Sequence, residues 1–413
     1  MVKVLDLAIA AKKSSIEIAH ADSKTKDGVL LSLAKGLVDN SEKIISANRT
    51  DIEFAKKNSL SEAMIERLTL DDKRIRDMAN SLIELASLPD PVGKIINGST
   101  RPNGLVIAKK QVPLGVVALI YESRPNVTVD SASLCIKSGN AVILRGGKEA
   151  INSNIELVRI IKEALSANGL SEDIVGLVTD TSRDSSIELM GLSGYVDLLI
   201  PRGGKALIEA TVKNAKVPVI ETGAGNCHIY VDEFADLEMS TIVVNNAKTQ
   251  RPSVCNAVET VLVHEKVAER FLKMMAEGFT HEVELRGDLA ATTILKGIKT
   301  ATDEDWYTEY NDYILTVGVV SCVEEACEII NRCGTRHSDA IMTENVKNAE
   351  YFLENVDSSA VYLNASTRFT DGGEFGMSAE MGISTDKLHV RGPIGLDALT
   401  TTKFIVLGKG QIR

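Results

Sequence analysis

Aromatic residues are scarce in this chain, making up 4% of its 413 residues and including a single tryptophan. Long apolar runs are missing as well. The longest, such as residues 112–121, is too short to cross a bilayer and contains glycine and proline. The N-terminal segment 1–6 interrupts its apolar residues with charge, unlike a secretory signal. These absences predict a soluble globular protein of the cytoplasm, with no membrane partner.

Cysteine and histidine are also few, with six of each. Without an export signal, the cysteines are expected to be reduced thiols. Cys322, Cys327 and Cys333 are separated by five and six residues and lack a CxxC pair. They fall on a predicted strand and helix, so core packing is favoured over metal ligation. The histidines form no HxxxH pair, and no metal site is predicted.

The charge balance is acidic, with a formal net charge of −11. This argues against nucleic acid as a partner, because proteins that bind the phosphate backbone need a basic face. An anionic substrate is still compatible with the sequence. It would have to be held by local arginine or lysine side chains.

The length predicts two domains and a small appendage, because one core rarely supports 413 residues. Residues 1 to about 90 read as helices with one apolar face each. Two strand-like runs, 105–111 and 116–121, then suggest a β-hairpin. A hairpin between helical and α/β segments favours oligomer formation, and the C-terminal strand at 401–407 is a second candidate for pairing with another subunit.

Strands and helices alternate from 116 to 232, which indicates a doubly wound α/β domain with a parallel sheet. A second α/β unit follows to about 364. The predicted division assigns 1–100, 116–228 and about 366–395 to a dinucleotide-binding domain. It assigns 229–365 to a catalytic domain, and 101–115 with 396–413 to a small β oligomerisation flap.

Two nearly identical strand-to-helix turns lie in the first α/β region. The sequence Arg-Gly-Gly-Lys occurs at 145–148 and again at 202–205. Glycine lets the backbone approach a ligand, while a helix start with Arg and Lys attracts phosphate. Two such turns in one sheet suit a dinucleotide. The alternative for either copy alone is an ordinary tight glycine turn, since this is neither GxGxxG nor a P-loop.

Residues 249–257 present a cysteine where a predicted helix has just ended. Pro252 removes a backbone donor and disfavours the α conformation at Arg251, so the helix should stop before Cys255. Positive charge and unpaired amides near the sulfur favour the thiolate, which is the nucleophilic form. The alternative is an ordinary buried cysteine.

Comparison of the longer motifs points to a family. The chain resembles the aldehyde dehydrogenase superfamily and, within it, is closely similar to the family that reduces γ-glutamyl phosphate. The similarity covers nearly the whole chain and is carried by residues 112–128, 137–147, 221–228, 249–257, 364–373 and 389–393.

This resemblance implies the roles of several residues. Cys255 matches the nucleophile, and Asn126 matches the side-chain donor of the oxyanion hole. Arg145 and Lys148 match positions at the adenosine ribose, where a lysine suits a 2′-phosphate and therefore NADP(H). Glu309 matches the carboxylate on the nicotinamide ribose, although the chain continues Tyr-Asn-Asp where relatives have Phe-Gly-Pro. The remaining expected cofactor contacts are the turn residues Gly146, Gly147, Gly203 and Gly204.

The activity implied is NADPH-dependent reduction of L-glutamyl 5-phosphate to L-glutamate 5-semialdehyde and phosphate through a cysteine thioester, a step of proline biosynthesis. The expected substrate contacts are Arg124, Arg251, Ser253 and Arg368. A homo-oligomer, dimer or tetramer, and contact with a glutamate 5-kinase are expected. One alternative is a hydrolytic aldehyde dehydrogenase with Glu221 as general base. Another is a catalytically silent scaffold.

Overall fold

A computed structural model describes residues 3–413 of the chain. The chain forms two compact units. The first contains the residues up to Thr222, together with 376–382 and 394–413, and the second contains 223–375 and 383–393. The division therefore falls at 222/223 instead of the expected 228/229, and residues 366–375 belong with the cysteine unit. The expected flap at 101–115 and 396–413 lies within the first unit.

The first unit opens with a group of helices. Several have acidic or hydroxyl caps: Asp22, Ser61 and Asp71 each accept a hydrogen bond from an amide of the following first turn, which satisfies a donor that the helix leaves unpaired. The helices are α1 (Val4–His20), α2 (Ser23–Asp39), α3 (Ser41–Lys57), α4 (Glu62–Leu68) and α5 (Asp72–Ser87).

Three antiparallel strands replace the predicted hairpin. β1 (Ile95–Thr100) pairs with β2 (Val106–Pro113), and β2 also pairs with the C-terminal strand Thr400–Leu407 of the same chain. The expected pairing of 105–111 with 116–121 is wrong. All six residues of 116–121 are buried, so this strand needs cover on both faces and joins the parallel sheet instead.

That parallel sheet is the doubly wound part of the first unit. Its strands lie in the order β5-β4-β3-β6, so the chain builds outward from β3 on one side and then returns to the other side. In such sheets ligands bind beyond the carboxyl ends of the strands at this reversal. The elements are β3 (Val116–Tyr121), α6 (Pro125–Lys137), β4 (Ala141–Arg145), α7 (Ile151–Ala167), β5 (Val175–Leu177), α8 (Arg183–Met190), β6 (Leu198–Arg202) and α9 (Lys205–Asn214).

The second unit is built on a seven-stranded sheet with the order β10-β9-β11-β8-β7-β12-β13, in which every pairing is parallel. Its helices are α10 (Leu237–Thr249), α11 (Glu265–Gly278), α12 (Leu289–Ile294), α13 (Val323–Cys333) and α14 (Val346–Asn355). Its strands are β7 (Cys227–Val231), β8 (Val258–His264), β9 (Glu284–Gly287), β10 (Lys299–Thr300), β11 (Ile314–Val320), β12 (Ser338–Met342) and β13 (Ala360–Leu363), with a separate antiparallel pair, β14 (Ile383–Ser384) and β15 (Gly392–Pro393).

The two α/β sheets confirm the predicted fold class. Their central strands are covered on both faces, as in β3 and β8, where every residue is buried. Between residues 3 and 413, no helix has both the length and the apolar character that crossing a membrane requires.

Candidate active site

The turn that carries Cys255 joins α10 to β8 in the second unit. The helix ends at Thr249, and Gln250 closes it by donating its amide hydrogen to the Asn246 carbonyl. Residues 251–257 then form turns that lead into the buried strand β8. Cys255 is half-buried there, whereas Cys135, Cys227, Cys327 and Cys333 are buried. The sequence prediction of a helix that stops before the cysteine is confirmed.

Gly225 lies directly against the backbone of Cys255. A Cβ atom at position 225 would stand 1.5 Å from the Cys255 carbonyl oxygen and 2.6 Å from its Cα, so only glycine fits. The Gly225 amide donates a 2.8 Å hydrogen bond to Oε1 of Glu309. The buried Cys227 thiol donates to the same Cys255 carbonyl oxygen at 3.2 Å. The backbone of the nucleophile candidate is therefore held from one side by this glycine segment.

Arg368 and Asn256 hold the turn from the other side. The Asn256 amide donates to the Thr370 carbonyl at 2.9 Å, and the Arg368 guanidinium donates to Oδ1 of Asn256 and to Oε1 of Gln250. Burial lowers the pKa of Arg368, and the neighbouring Asp371 and Cys255 oppose that shift. An arginine in electrostatic contact with Cys255 favours the thiolate form of the sulfur.

The candidate substrate contacts are divided between the two units. Arg251, which is exposed, and Ser253, which is half-buried, share the Cys255 turn, and Arg368 is bonded to that turn. Arg124 belongs to the first unit, where it is the half-buried N-cap residue of α6. The structure thus brings three of the four predicted residues together in the second unit.

Asn126 lies in the first turn of α6, and its side-chain amide donates to Oδ2 of Asp130 at 3.0 Å. Burial raises the pKa of Asp130 to about 6, while the hydrogen bond from Asn126 and the charge of Arg202 act in the opposite direction. A primary amide has two hydrogens, so one remains for a further acceptor. Asp130 is a partner that the sequence did not reveal.

The two glycine turns lie at the carboxyl ends of β4 and β6, the two strands that flank β3 in the first unit. Gly146 and Gly147 follow β4 and are buried, and Lys148 after them is exposed. Arg145, in contrast, forms hydrogen bonds within the protein. Its guanidinium donates to the carbonyls of Thr181 and Ser182, each at 2.7 Å. The exposed cation available at the first turn is therefore that of Lys148.

The second turn already binds an anionic group. The Gly204 amide donates to Oε2 of Glu122 at 2.9 Å, and a Cβ at Gly203 would lie 2.5 Å from that same oxygen. A carboxylate is thus seated where a helix start and bare glycine backbone attract negative charge. A role of these turns and of the exposed Lys148 at the phosphates of a dinucleotide remains a prediction.

Glu309 lies in a half-buried loop of the second unit and uses one carboxylate oxygen on Gly225. Its role at the nicotinamide ribose remains a prediction. Glu221 is half-buried in the segment that precedes β7. Within residues 3–413, no group of three histidine, cysteine, aspartate or glutamate side chains is arranged to hold a metal ion.

A buried ion pair next to the cysteine turn was missed from the sequence. Nζ of Lys248, in the last turn of α10, lies 2.5 Å from Oε2 of Glu259 in β8, and neither side chain is exposed. The sequence does contain a signal for this pair, namely charged residues at positions of a helix and a strand that face the core. Glu259 follows Val258 and precedes the apolar run 261–263 in the strand, and Lys248 is one helical turn beyond the buried Val244. Both charges therefore occupy core positions that demand a partner.

Comparison with known proteins agrees with this geometry. The model of the aldehyde dehydrogenase family matches residues 4–295. The chain is 54% identical, over all of both chains, to a gamma-glutamyl phosphate reductase of Carboxydothermus hydrogenoformans. It is 46% identical to the crystal structure of the reductase of that name from Thermotoga maritima, with a TM-score of 0.97 and full coverage of both chains.

A more distant likeness concerns the fold alone. An acetylating aldehyde dehydrogenase from Geobacillus thermoglucosidasius shares 17% identity with a TM-score of 0.70, covering 99% of this chain and 97% of the other. The doubly wound sheet, the cysteine turn and the full-length similarity lead to one conclusion. This chain belongs to the aldehyde dehydrogenase family, and its near relatives within that family are gamma-glutamyl phosphate reductases.

Proposed function

We propose that this enzyme reduces L-glutamyl 5-phosphate to L-glutamate 5-semialdehyde and inorganic phosphate, a step of proline biosynthesis. The supporting observation is the Cys255 turn, half-buried and held by Gly225 and Arg368. It occurs in a chain that matches reductases of this name over its whole length. Full-length similarity makes a catalytically silent scaffold the weaker alternative.

The chemistry begins at the sulfur. The Cys255 thiolate attacks the γ-carbonyl carbon, and the phosphate leaves with the bonding electron pair, which gives a thioester. A bound nicotinamide cofactor supplies a hydride for the carbonyl carbon. The resulting thiohemiacetal anion then collapses, releasing the aldehyde and restoring the thiolate. Covalent capture divides one difficult step into two and holds the carbonyl in place.

Charge development on the carbonyl oxygen requires a donor. We assign this role to Asn126, whose amide keeps one hydrogen beyond the bond to Asp130. The phosphate and α-carboxylate of the substrate require cations and hydroxyl donors. For these we propose Arg251, Ser253 and Arg368 of the cysteine unit and Arg124 at the start of α6.

The proposed cofactor is NADP(H). The residues that would hold it are Lys148, the turns Gly146-Gly147 and Gly203-Gly204, and Glu309. Arg145 contributes indirectly, because its bonds to the carbonyls of Thr181 and Ser182 fix the end of β4. Lys148 distinguishes the two cofactors, since an exposed ammonium suits the 2′-phosphate that NAD lacks.

Reversing the charge at Lys148 should shift cofactor preference. In Lys148→Glu we expect the KM for NADP to rise about tenfold or more, because a charge-assisted bond to the 2′-phosphate is replaced by repulsion. The KM for NAD should change little. Steady-state kinetics with both cofactors measure this. Lys24→Glu, an equal charge change at an exposed position of α2, should leave both constants alone. Equal losses with NADP and NAD would contradict the assignment.

The reverse reaction separates the reductase from the hydrolytic alternative. Oxidation of the semialdehyde with NADP should require inorganic phosphate, because phosphate is the acceptor that releases the thioester. An enzyme using Glu221 to activate water would instead turn over in phosphate-free buffer. The measurement is the initial rate of NADPH formation as phosphate is varied, with sulfate as the ionic-strength control. A rate independent of phosphate would sink the proposal.

We further propose that the chain functions as a cytoplasmic homo-oligomer, a dimer or tetramer, joined through the three-stranded sheet. Its C-terminal strand exposes Phe404 (68%), Val406 (53%) and Leu407 (62%). Exposed apolar side chains on a sheet edge favour cover by a second chain. Direct transfer of the labile acyl phosphate from a glutamate 5-kinase is compatible with the same proposal.

A further inference from the structure

Lys248 and Glu259 form an ion pair in which both side chains are fully buried from solvent. Lys248 lies in α10 and Glu259 in β8, the two elements on either side of the cysteine turn. Burial lowers the pKa of Lys248 and raises that of Glu259, and the charge of each partner opposes the shift of the other. Removing two charges from water is costly. The pair therefore calls for a role beyond cohesion of the core.

The second oxygen of Glu259 reaches the loop that follows Glu309. Its Oε1 accepts a hydrogen bond from the Asn311 amide at 3.2 Å. Asn311 has a left-handed backbone with φ of 56°, a conformation that needs support in a residue other than glycine. The Lys248 ammonium lies 5.9 Å from the ring centre of Tyr310, within the range of a cation–π contact. Two consecutive residues after Glu309 are thus held by the pair.

Further contacts fasten the same loop at Tyr310. Its hydroxyl donates to Oδ1 of Asp305 at 2.8 Å and lies 2.7 Å from Oγ1 of Thr316 in β11. These bonds hold the ring over which Lys248 is placed.

The loop leads back to the nucleophile through Glu309. Glu309 accepts the Gly225 amide hydrogen, and Gly225 lies against the backbone of Cys255 with no room for a Cβ. A shift of the 309–311 loop therefore moves the carboxylate that holds the glycine segment. The chain of contacts starts at the end of α10, which carries the cysteine turn, and returns to that turn.

We propose that Lys248 and Glu259 are positioning residues that set Glu309, and through it Gly225 and Cys255, for hydride transfer. They act through the hydrogen bond from the Asn311 amide to Glu259 and the contact of Lys248 with Tyr310. This inference rests on the proposed reductase function and on the cofactor role of Glu309. It adds a residue pair whose effect on the reaction is indirect.

Paired variants test the idea while avoiding an isolated buried charge. Lys248→Met/Glu259→Met removes both charges at similar volume but leaves the Asn311 amide without an acceptor. Lys248→Met/Glu259→Gln removes the same charges and keeps a side-chain oxygen for that amide. We expect the first variant to lose about tenfold or more in kcat/KM, chiefly through a raised KM for NADP. The second should recover most of this loss. Equal losses in both would overturn the proposal.

A double-mutant cycle with Glu309→Gln identifies the route. If the pair acts through Glu309, Lys248→Met/Glu259→Met should cause little further loss of kcat/KM in an enzyme that already carries Glu309→Gln. An undiminished loss in the Glu309→Gln background would mean that the pair acts on the core alone, and the inference fails. An active wild-type enzyme with an additive cycle overturns only this inference, whereas an inactive wild type overturns the reductase function itself.

If Lys248→Met/Glu259→Met does not fold, hydrogen exchange of the wild-type enzyme tests whether Glu259 holds the loop. The Asn311 amide should exchange about a hundredfold more slowly than an unprotected amide, because it is bonded to a buried carboxylate. Exchange at the unprotected rate would show that Glu259 does not hold this loop. The exposed Asp312 that follows provides the comparison within the same segment.

Discussion

Cys255→Ala should abolish both directions of the reaction, with a loss of about 10⁴-fold or more in kcat. Without the sulfur there is no covalent acceptor for the acyl group, and removal of a nucleophile from a covalent mechanism has effects of this size. The measurement is NADP reduction by the semialdehyde in phosphate buffer. The fold should be retained, because the side chain is half-buried and alanine is smaller.

A matched control is available in the same unit. Cys322 is also half-buried, but it lies at the start of α13. Cys322→Ala should retain full activity and should still lose that activity on alkylation by iodoacetamide. Substrate or NADP should protect the wild type from alkylation. Undiminished turnover by Cys255→Ala would remove the covalent mechanism.

Gly225→Ala should produce the second largest loss, about a hundredfold in kcat/KM, while leaving the chain folded. The added Cβ would stand 1.5 Å from the Cys255 carbonyl oxygen, so the backbone of one segment must move. A displacement of about 1 Å at a reacting group is enough for a hundredfold loss of rate. Steady-state kinetics, with circular dichroism and thermal unfolding to verify the fold, measure the effect.

Gly176→Ala is the matched control, because a Cβ at Gly176 would meet its nearest neighbour, Leu7, at an ordinary 3.7 Å. It makes the same chemical change in a strand of the first unit and should alter kcat/KM by no more than about twofold. A Gly225→Ala enzyme with wild-type kinetics would show that the cysteine turn tolerates displacement. The positional argument would then be wrong.

Several features of the site can be predicted from the amino-acid sequence alone. The end of α10 before Cys255 follows from Pro252, which lacks a backbone donor and disfavours helix at Arg251. The alternation of strands and helices from 116 to 232 predicted a parallel α/β sheet, which the first unit contains, although the expected strand at 217–220 is not one of its four strands. The glycine turns at 146–147 and 203–204 do lie at carboxyl ends of strands in that sheet.

Other features escaped prediction because they join residues that are distant in the chain. β2 pairs on one side with β1 through the local turn at 101–105, but on its other side it pairs with the C-terminal strand Thr400–Leu407, which is far away in the chain. The guanidinium of Arg145 donates to the carbonyls of Thr181 and Ser182, and its expected contact with the cofactor stays a prediction. No local pattern reveals which distant carbonyl lies within reach of an arginine.

The amino-acid sequence by itself determined the fold class, the end of the helix before the cysteine and the family, because hydrophobic periodicity, proline and long motifs act or are recognised locally. Only the tertiary structure decided that Gly225 lies against Cys255, that Glu122 occupies the Gly204 amide, and that Lys248 meets Glu259 inside the core. These contacts depend on how the elements pack, and packing fixes atoms to within an ångström only once every neighbour is in place.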